Sequence, residues 1–532
     1  MKLNLHELEN REEWLSKGYR LPGFDPSTVR ERTMKDPVWL HFGAGNIFRV
    51  FPAVLQQKLL DEGLTDRGIV VSEAYDEEIL DKAYTPFDNL SLMVTLNPDG
   101  NIDKQVVASV VQAIKPSEDM DALVRIFTSP SLQMVSFTIT EKGYAVKGGD
   151  GRYFKWIEAD LSVLPERPGS LVALLTLLML RRHQAGDLPV ALVSMDNCAH
   201  NGTRLFDAVM TFATAWLEKG LVGQAFLDYL NDPAKVSFTW SMIDKITPRP
   251  SDSVQTMLEK DGYESAEIIV TSKNTYTASF VNAEPTQYLV IEDWFPNGRP
   301  PLEKAGVLFA DRETVDKVET MKVCTCLNPL HTVLAVYGSL LRYRTIAETV
   351  GDPVLKRFIE RVGYDEGMPV VVNPGIIQPE AFIRTVIEER FPNPFLPDTP
   401  QRIATDTSQK IPVRFGETLK AYQKRGAKSL SELTYIPLFI AGWLRYLLGI
   451  DDQGHPMELS PDPMLPELRE KLAGITLGPL RHDDAIRPIL SDPHLFGIDL
   501  AGTGLDEKVL QYFHELTAGP GAVRKTLDRV LS

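Results

Sequence analysis

The stretch VWLHFGAGNIFRV, residues 38–50, decides the fold class of this chain. It opens with an almost entirely apolar run, a pattern that predicts a buried parallel strand ending at a glycine turn. Apolar side chains then recur at helical spacing across residues 49–63, and the apolar run 69–71 predicts a second buried strand. Strand, glycine turn, helix and strand in this order predict a βαβ unit.

Gly43 and Gly45 lie between the predicted strand and helix, where a dinucleotide-binding fold needs glycine. The first glycine allows a tight turn, and the second lets a pyrophosphate approach the backbone, whose N–H groups at the helix start bind phosphate oxygens. The third glycine of the usual fingerprint is absent, because Phe48 stands there. The pattern favours nucleotide binding, with a plain strand–helix turn as the alternative.

Two acidic residues follow the second predicted strand, in the segment SEAYD at residues 72–76. A carboxylate here would accept hydrogen bonds from the ribose hydroxyls of an adenosine and would repel a 2′-phosphate. Glu73 is the better placed and Asp76 is the alternative, so NAD is expected rather than NADP. The competing interpretation is that both are solvated acids at a helix start.

Outside this unit, predicted strands and helices alternate up to about residue 300. Two alternating segments flank the turn signal NPDG at residues 97–100, which predicts a hairpin over 90–111 that decorates the parallel sheet. Other apolar patterns predict strands at 134–139, 190–195, 236–242 and 288–291, and helices at 170–182 and 202–217.

The segment PNGRPP, residues 296–301, is the best linker candidate because proline and glycine interrupt regular structure. Beyond it the sequence pattern is helical. We therefore expect an α/β domain over residues 1–300, with a polar helical lead-in, and a mostly α-helical domain over residues 301–532.

Composition restricts the possible partners. The chain has 532 residues, with 56 Lys and Arg against 72 Asp and Glu, and this formal net charge of −16 argues against a nucleic-acid binder. Three cysteines are too few for a disulfide framework, so a reducing compartment, the cytoplasm, is expected. Cys324 and Cys326 lack further ligands at metal spacing and are interpreted as small core residues. The amino terminus lacks the apolar stretch of a secretory signal, and the apolar runs 171–180 and 435–450 are interpreted as buried helices, so no membrane partner is expected.

The segment MKVCTCLNPLH, residues 321–331, carries the candidate catalytic groups. Lys322 lies in an apolar stretch, where partial desolvation would lower its pKa towards the range that suits a general base for alcohol oxidation. Glu319, three residues earlier on the same helical face, is a candidate proton relay. The alternative is that the Lys322 side chain extends to the surface.

Asn328 and Pro329 predict a helix cap followed by proline at the first helical position. One helix then ends and another starts, with His331 on the first turn of the second, so that three polar groups converge at the break. The alternative is that Asn328 merely caps the helix and His331 is a hydrogen-bonded core histidine.

The pattern K-x5-N-x2-H formed by Lys322, Asn328 and His331 resembles the signature of the polyol-specific long-chain dehydrogenases, the mannitol dehydrogenase family. Other segments are similar to family motifs in the same order, and the resemblance covers residues 38 to about 465: HFGAGN at 41–46, TITEKGY at 138–144, SMDNCAHNG at 194–202, MIDKITP at 242–248, QRIATDTSQK at 401–410 and AGWLRYL at 441–447. The chain departs from the pattern at Phe48, where the family often has histidine, and at Pro329, where it often has glycine.

The resemblance implies an NAD(P)-dependent secondary-alcohol dehydrogenase that works without a metal, with an N-terminal Rossmann-like domain and a helical C-terminal domain. By motif position, Lys322 would be the general acid/base, and Asn197 and Asn328 would donate hydrogen bonds to the reacting oxygen. The other implied site residues are His331, Asp244, Arg402 and Lys410 around the substrate, and Gly43, Gly45, Asn46 and Glu73 around the cofactor. Asp196 is expected to fix its local loop.

The substrate is the least determined feature. Positive charge from Arg402, Lys410 and Arg249 suits a carboxylate, which favours a hexuronate ketone such as fructuronate, reduced with NADH to mannonate. A neutral polyol such as mannitol is the alternative, because Arg402 and Lys410 also match positions in family members that use polyols. A function of a different class, a non-catalytic NAD(H)-binding sensor, would not need Lys322, Asn197 and Asn328 together. The oligomeric state is left open.

Overall fold

The fold is described from a computed structural model, which describes residues 1–426 and 430–532. The chain divides into two compact units, one formed by Met1–Asn97 and Asn101–Asp316, the other by Pro98–Gly100 and Lys317–Ser532. The first unit mixes strands and helices and the second is helical, so the predicted fold class is confirmed. The segment that follows the proline-rich stretch belongs to the first unit, because Leu308–Ala310 pairs in parallel with Tyr288–Glu292.

The strands of the first unit are numbered here in chain order: β1 Tyr19–Arg20, β2 Trp39–Phe42, β3 Ile69–Ser72, β4 Ser91–Leu96, β5 Ile102–Val107, β6 Val110–Ile114, β7 Met134–Phe137, β8 Val190–Ser194, β9 Val236–Thr239, β10 Ser241–Asp244, β11 Ile268–Val270, β12 Tyr276–Ala278, β13 Phe280–Ala283, β14 Tyr288–Glu292 and β15 Leu308–Ala310.

A six-stranded parallel sheet lies at the centre of this unit, in the order β6-β3-β2-β7-β8-β9. Leu40 of β2 pairs with Val70 of β3 on one side and with Val135 of β7 on the other. Neighbouring residues of β2 face different cores, since Leu40 lies in one cluster of buried side chains and Trp39 in another. Both faces of the sheet are covered, which explains why its strands are apolar runs without alternation.

Helices flank the strands of this unit. Their bounds are Glu7–Glu9, Arg11–Ser16, Pro26–Lys35, Asn46–Val50, Pro52–Asp61, Glu78–Ala83, Thr85–Phe87, Met120–Phe127, Thr140–Gly143, Lys155–Asp160, Leu171–Gln184, Asn201–Glu218, Gln224–Asn231, Asp252–Lys260 and Leu302–Ala305. The single helix predicted over residues 49–63 is interrupted at Phe51, which has non-helical angles, and Pro52 then opens a new helix because it has no N–H to donate.

The predicted hairpin is present, but its place in the fold differs from the prediction. β4 and β5 pair antiparallel, with Leu96 opposite Ile102. They belong to a separate four-stranded sheet with the order β1-β5-β4-β13, because β4 takes β13 and β5 takes β1 as parallel neighbours. The expectation that the hairpin decorates the parallel sheet is therefore wrong.

The single strand predicted over residues 236–242 is also wrong. β9 and β10 are separated by Trp240 and belong to different sheets, since β9 pairs with β8 while β10 pairs with β14. The Trp240 N–H, which lies between the two strands, donates to the Glu292 carboxylate at 3.1 Å. Sheet β10-β14-β15 and the β11-β12 pair complete the β structure of this unit.

Helices make up the second unit, whose first helix starts just before the boundary. Their bounds are Arg312–Met321, Lys322–Cys326, Asn328–Leu340, Ile346–Gly351, Pro353–Glu360, Arg361–Gly367, Met368–Val370, Pro379–Thr385, Val386–Arg390, Pro400–Ala404, Thr407–Arg414, Gly416–Arg425, Tyr435–Tyr446, Leu465–Lys471, Asp483–Leu490, Pro493–Phe496, Leu505–Thr517 and Ala522–Val530. The segments beginning at Lys322, Arg361 and Val386 are π-helical. Within the described residues, one stretch, Arg312–Leu340, is long and apolar enough to cross a membrane, and 78% of its most apolar window is buried in the protein.

Arg49 lies in the helix Asn46–Val50, which follows β2, and connects this helix to the four-stranded sheet. Its buried guanidinium donates to the Ser91 hydroxyl at 2.8 Å and to the carbonyl oxygens of Ala278 at 2.8 Å and Ser279 at 3.1 Å. The charge lies 5.4 Å from the centre of the Tyr84 ring. Burial of this cation is tolerated because oxygen atoms accept hydrogen bonds from its N–H groups.

Replacing Arg49 by methionine should lower the free energy of unfolding by about 3 kcal/mol, because it leaves several buried acceptors without a donor. Chemical denaturation followed by fluorescence measures the loss. Arg32→Met is the control, since its side chain is 53% exposed and lies 3.3 Å from Asp66, a surface pair worth less than about 1 kcal/mol. Equal losses in the two variants would contradict the role of Arg49.

Candidate active site

The glycine turn that follows β2 has the geometry of a nucleotide-binding turn. Gly43 has φ +109°, and a Cβ added there would lie 2.2 Å from the Thr138 carbonyl oxygen at the end of β7. A Cβ added at Gly45 would meet no atom within 4 Å. Asn46 is the first residue of the helix Asn46–Val50, whose start has no side-chain cap. Gly43 is thus required by the fold, while Gly45 leaves the backbone open to a ligand.

Glu73, at the end of β3, holds this turn. One carboxylate oxygen accepts the Ala44 N–H at 2.9 Å, and the other accepts the N–H groups of Tyr75 at 2.8 Å and Asp76 at 3.1 Å. Asp76 in turn accepts the hydroxyls of Thr271 at 2.7 Å and Thr275 at 2.6 Å. The two acids are 9% and 3% exposed, so the interpretation of them as solvated helix-start acids is wrong.

Asn197 lies in the loop that follows β8, and its side chain is exposed. The neighbouring Asp196 accepts the N–H groups of Ile139 at 3.0 Å and Thr140 at 2.7 Å and the Tyr144 hydroxyl at 2.5 Å. Burial raises the pKa of Asp196, and burial next to this carboxylate raises the pKa of Tyr144. These contacts agree with the prediction that Asp196 fixes its loop, and they hold the backbone next to Asn197 in place.

Asp244 is the last residue of β10 and is buried. The following segment is fixed by Glu284, whose carboxylate accepts the Ile246 N–H at 2.6 Å and whose carbonyl oxygen accepts the Lys245 ammonium at 2.9 Å. Asn197, in the loop after β8, and Asp244, at the end of β10, lie where hydrogen bonds tie side chains to the main chain, which restricts their movement.

Lys322 is the first residue of the π-helical segment Lys322–Cys326 and is 2% exposed, so the interpretation that it extends to the surface is wrong. Glu319, one turn earlier, is partly exposed. The Thr418 hydroxyl donates to the Cys324 carbonyl oxygen at 3.2 Å, which gives the irregular turn a partner from another helix. π-Helical turns occur often at functional sites because they redirect side chains within a helix.

Asn328 begins the next helix. It is the first residue of Asn328–Leu340, and Leu327 occupies the cap position without a side-chain hydrogen bond, so the predicted cap is displaced by one residue. The Thr332 hydroxyl donates to the Asn328 carbonyl oxygen at 2.8 Å. The Asn328 side chain is half-buried at this helix start.

His331 is surrounded by cationic side chains. Burial lowers its pKa to about 3, and the lowering is reinforced by the positive charges of Arg414, Arg402, Arg390 and Lys410. The imidazole is therefore neutral at pH 7. Its Nε2 atom lies 3.6 Å from an Asp398 carboxylate oxygen and has no hydrogen-bond partner in the described part of the chain. The interpretation of His331 as a hydrogen-bonded core histidine therefore does not hold for this nitrogen.

Two of the other predicted cations, Arg402 and Lys410, lie around this histidine. Arg249, the third, lies in the first unit, with its guanidinium 4.6 Å from the centre of the Tyr276 ring. Arg402 forms an ion pair with Asp398. Lys410 donates to the carbonyl oxygens of Ile403, at 3.1 Å, and Thr405. Burial, together with the like charges of Arg414 and Arg402, lowers the pKa of Lys410 to about 8. An ammonium group with this pKa changes charge within the working range of an enzyme.

Sequence reasoning missed three charged residues of this cluster, Arg390, Asp398 and Arg414. Asp398 lies four residues before Arg402 and Arg414 lies four residues after Lys410, which is the spacing of side chains on one helical face. That spacing was the available signal for both. Arg390 ends the π-helical segment Val386–Arg390, and its sequence neighbours give no such signal.

The cysteines behave as core residues. Cys324 and Cys326 are buried and neither forms a disulfide, and burial raises the pKa of the Cys326 thiol to about 12. Throughout residues 1–426 and 430–532, no group of three or more His, Cys, Asp or Glu side chains is arranged to hold a metal ion.

Known proteins resemble the chain over its full length. The family model of the mannitol dehydrogenase Rossmann domain matches residues 38–304, and that of the mannitol dehydrogenase C-terminal domain matches residues 314–516. A D-mannonate oxidoreductase of Thermotoga maritima is 51% identical over 100% of this chain and 99% of its own.

Solved structures agree. A ternary complex of Pseudomonas fluorescens mannitol 2-dehydrogenase with NAD and D-mannitol is 25% identical, with a TM-score of 0.72 and coverage of 100% of this chain and 99% of that chain. A substrate-free D-sorbitol dehydrogenase is also 25% identical, with a TM-score of 0.80 and coverage of 97% and 98%. The chain therefore belongs to the mannitol dehydrogenase family and is an oxidoreductase that acts on alcohol groups.

Proposed function

We propose that this protein is an NAD(H)-dependent D-mannonate oxidoreductase that interconverts fructuronate and mannonate. The observation that carries the proposal is the full-length similarity to the Thermotoga maritima protein of that name. The three cysteines are buried and form no disulfide, which fits a reducing cytoplasm.

The charge around His331 supports a substrate with a carboxylate. Arg390, Arg402, Lys410 and Arg414 all act on the pKa of this histidine, although the chain as a whole has a net charge of −16. Guanidinium and ammonium groups form charge-assisted hydrogen bonds with carboxylates, which a neutral polyol cannot match. The cluster thus favours a sugar acid over mannitol.

The residues of the glycine turn fit a dinucleotide. Gly45 leaves room for a pyrophosphate at the backbone, Asn46 starts the helix, and Glu73 holds the turn from the end of β3. The Glu73 carboxylate also disfavours a 2′-phosphate, so we propose NAD rather than NADP. When bound, the nicotinamide supplies the hydride in ketone reduction and takes it up in alcohol oxidation.

Side chains of the protein supply the proton and the stabilisation of charge. Protonated Lys322 gives a proton to the ketone oxygen during reduction and takes it back from the hydroxyl during oxidation. The amides of Asn197 and Asn328 donate to the same oxygen and stabilise the developing alkoxide, so the mechanism needs no metal. The neutral His331 exchanges hydrogen bonds with substrate hydroxyls, while Asp244, Arg402 and Lys410 hold the rest of the chain.

Substrate choice is the direct test. With NADH, kcat/KM for fructuronate should exceed kcat/KM for fructose by about a hundredfold, because one charge-assisted hydrogen bond contributes about 1.5–3 kcal/mol. Initial rates of NADH oxidation on fructuronate, tagaturonate and fructose measure it. Preference for fructose would make the protein a mannitol dehydrogenase. NADH binding without turnover on any substrate would make it a sensor.

Lys322→Ala should lower kcat about a thousandfold and leave the Kd for NADH unchanged, because it removes the acid/base group alone. Single-turnover rates and NADH fluorescence titration separate the two effects. The matched control is Lys471→Ala, whose ammonium pairs with Glu467 on an exposed helix at 2.6 Å and should turn over normally. Near-normal turnover in the Lys322 variant would remove this residue from the mechanism.

The KM for fructuronate should rise several-fold as the pH passes through about 8, because Lys410 is charged below its pKa of about 8 and neutral above it. The pKa of Lys410 is lowered by burial, Arg414 and Arg402 and raised by Asp406 and Asp462. Lys410→Arg should flatten the profile, since arginine stays charged. A KM that rises equally in this variant, or equally for fructose, would assign the titration to another group.

A further inference from the structure

The start of the helix Asn328–Leu340 has no side-chain cap. Leu327, at the cap position, makes no side-chain hydrogen bond, although Pro329 suits the first turn of a helix. The preceding residues are π-helical, so the first turn does not continue a regular helix. Uncapped helix ends fray, yet an amide that stabilises an alkoxide must be held within a few tenths of an ångström.

Arg414 ties this first turn to another helix. Its Nη1 donates to the Thr332 hydroxyl oxygen at 2.6 Å and lies 3.4 Å from the Asn328 carbonyl oxygen. Thr332 is fully buried, and its hydroxyl in turn donates to the same carbonyl oxygen at 2.8 Å. One guanidinium group, one hydroxyl and one carbonyl group thus form a closed triangle around the first turn.

We propose that Arg414 is the positioning residue of the active site, fixing the first helical turn through Thr332 and thereby the direction of the Asn328 amide. The role rests on the proposed function of Asn328. Arg414 is the last residue of the helix Thr407–Arg414, which also carries Lys410. Its hydrogen bonds therefore connect the helix of a proposed substrate-binding cation to the turn that carries the Asn328 amide. Burial lowers the pKa of Arg414 to about 10, and the group remains charged at pH 7.

Two variants separate the geometry of Arg414 from its charge. Arg414→Met removes both the hydrogen bonds and the charge, whereas Arg414→Lys keeps a charge without the planar fork. In R414M, kcat should fall about tenfold to a hundredfold, by the same factor on fructuronate and on the best neutral substrate, because the donor to the reacting oxygen is misplaced. R414K should restore part of this loss.

The pH profile reports on the charge of Arg414 separately from its hydrogen bonds. The pKa of Lys410 is lowered by burial, by Arg414 and by Arg402. Because R414M removes one of these charges, it should move the rise in KM for fructuronate to higher pH. R414K keeps the like charge and should leave that pH unchanged. Arg357→Met is the matched control, since Arg357 also donates to a backbone carbonyl, that of Leu531 at 2.6 Å, and should leave kcat and the profile unchanged.

Thr332→Val tests the same link without touching a charge. It removes one hydroxyl from the triangle and should lower kcat several-fold. The double variant T332V/R414M should be no slower than R414M alone, because both substitutions break one connection. If R414M does not fold, T332V and R414K carry the test, and normal kcat in both would overturn the proposal.

Other outcomes overturn the proposal in a distinguishable way. A higher KM for fructuronate with unchanged kcat in R414M would make Arg414 a direct ligand of the carboxylate. Strictly additive losses in the double variant would show that Arg414 does not act through Thr332. An inactive wild-type protein contradicts the proposed function, whereas an active wild type with a normal R414M contradicts only the positioning role.

Discussion

The close approach of Gly43 to the end of β7 is the constraint on which the arrangement of the first unit depends. The turn after β2 passes so near the Thr138 carbonyl oxygen that no side chain fits. Because the six strands are parallel, the loops after β2, β3, β7 and β8 emerge at one edge of the sheet. Glu73 and Asp196 then bind the backbone of the neighbouring loops, and this edge becomes a rigid support for the cofactor turn and for Asn197.

The second unit uses interrupted helices for a similar purpose. Lys322 begins a π-helical turn and Asn328 begins the regular helix after it, so the regular hydrogen-bond ladder is broken between them. Side chains from elsewhere restore the missing contacts, with Thr418 at the Cys324 carbonyl and Arg414 at the first turn of the next helix. The irregular backbone places polar side chains inside the second unit, while side chains from other helices donate hydrogen bonds to its main-chain carbonyl groups.

Periodicity and motif order predicted much of this protein. Most strands of the parallel sheet, the helical second unit and the burial of Lys322 follow from apolar runs and their spacing, but β6, at one edge of the sheet, was not predicted as one of its strands. The sheet to which a strand belongs does not follow from these patterns. The β4–β5 hairpin joins the four-stranded sheet through β1 and β13, which lie far away in the chain. The split at Trp240 was missed because this single residue separates β9 from β10 and no glycine or proline marks the break.

The candidate site was predicted in part for the same reason. Lys322, Asn328 and His331 stand out as polar groups in an apolar segment, whereas Arg402 and Lys410 came from the resemblance to a family motif. Asp398 and Arg414 were missed although their four-residue spacing from Arg402 and Lys410 was a signal. Arg390 was missed because its sequence neighbours do not indicate what it contacts. The neutral state of His331 depends on burial, reinforced by positive charges from several helices, and only the folded chain brings these together.

The three hydrogen bonds that the Glu73 carboxylate accepts limit how substitutions could change the cofactor preference of the protein. Its carboxylate is committed to three main-chain N–H groups, one of them in the glycine turn itself. A substitution meant to admit a different dinucleotide would therefore also loosen the phosphate-binding turn. Tyr75, two residues later, is 74% exposed and makes none of those carboxylate contacts through its side chain. Variation at this position can alter the surface offered to the adenosine while the turn keeps its shape.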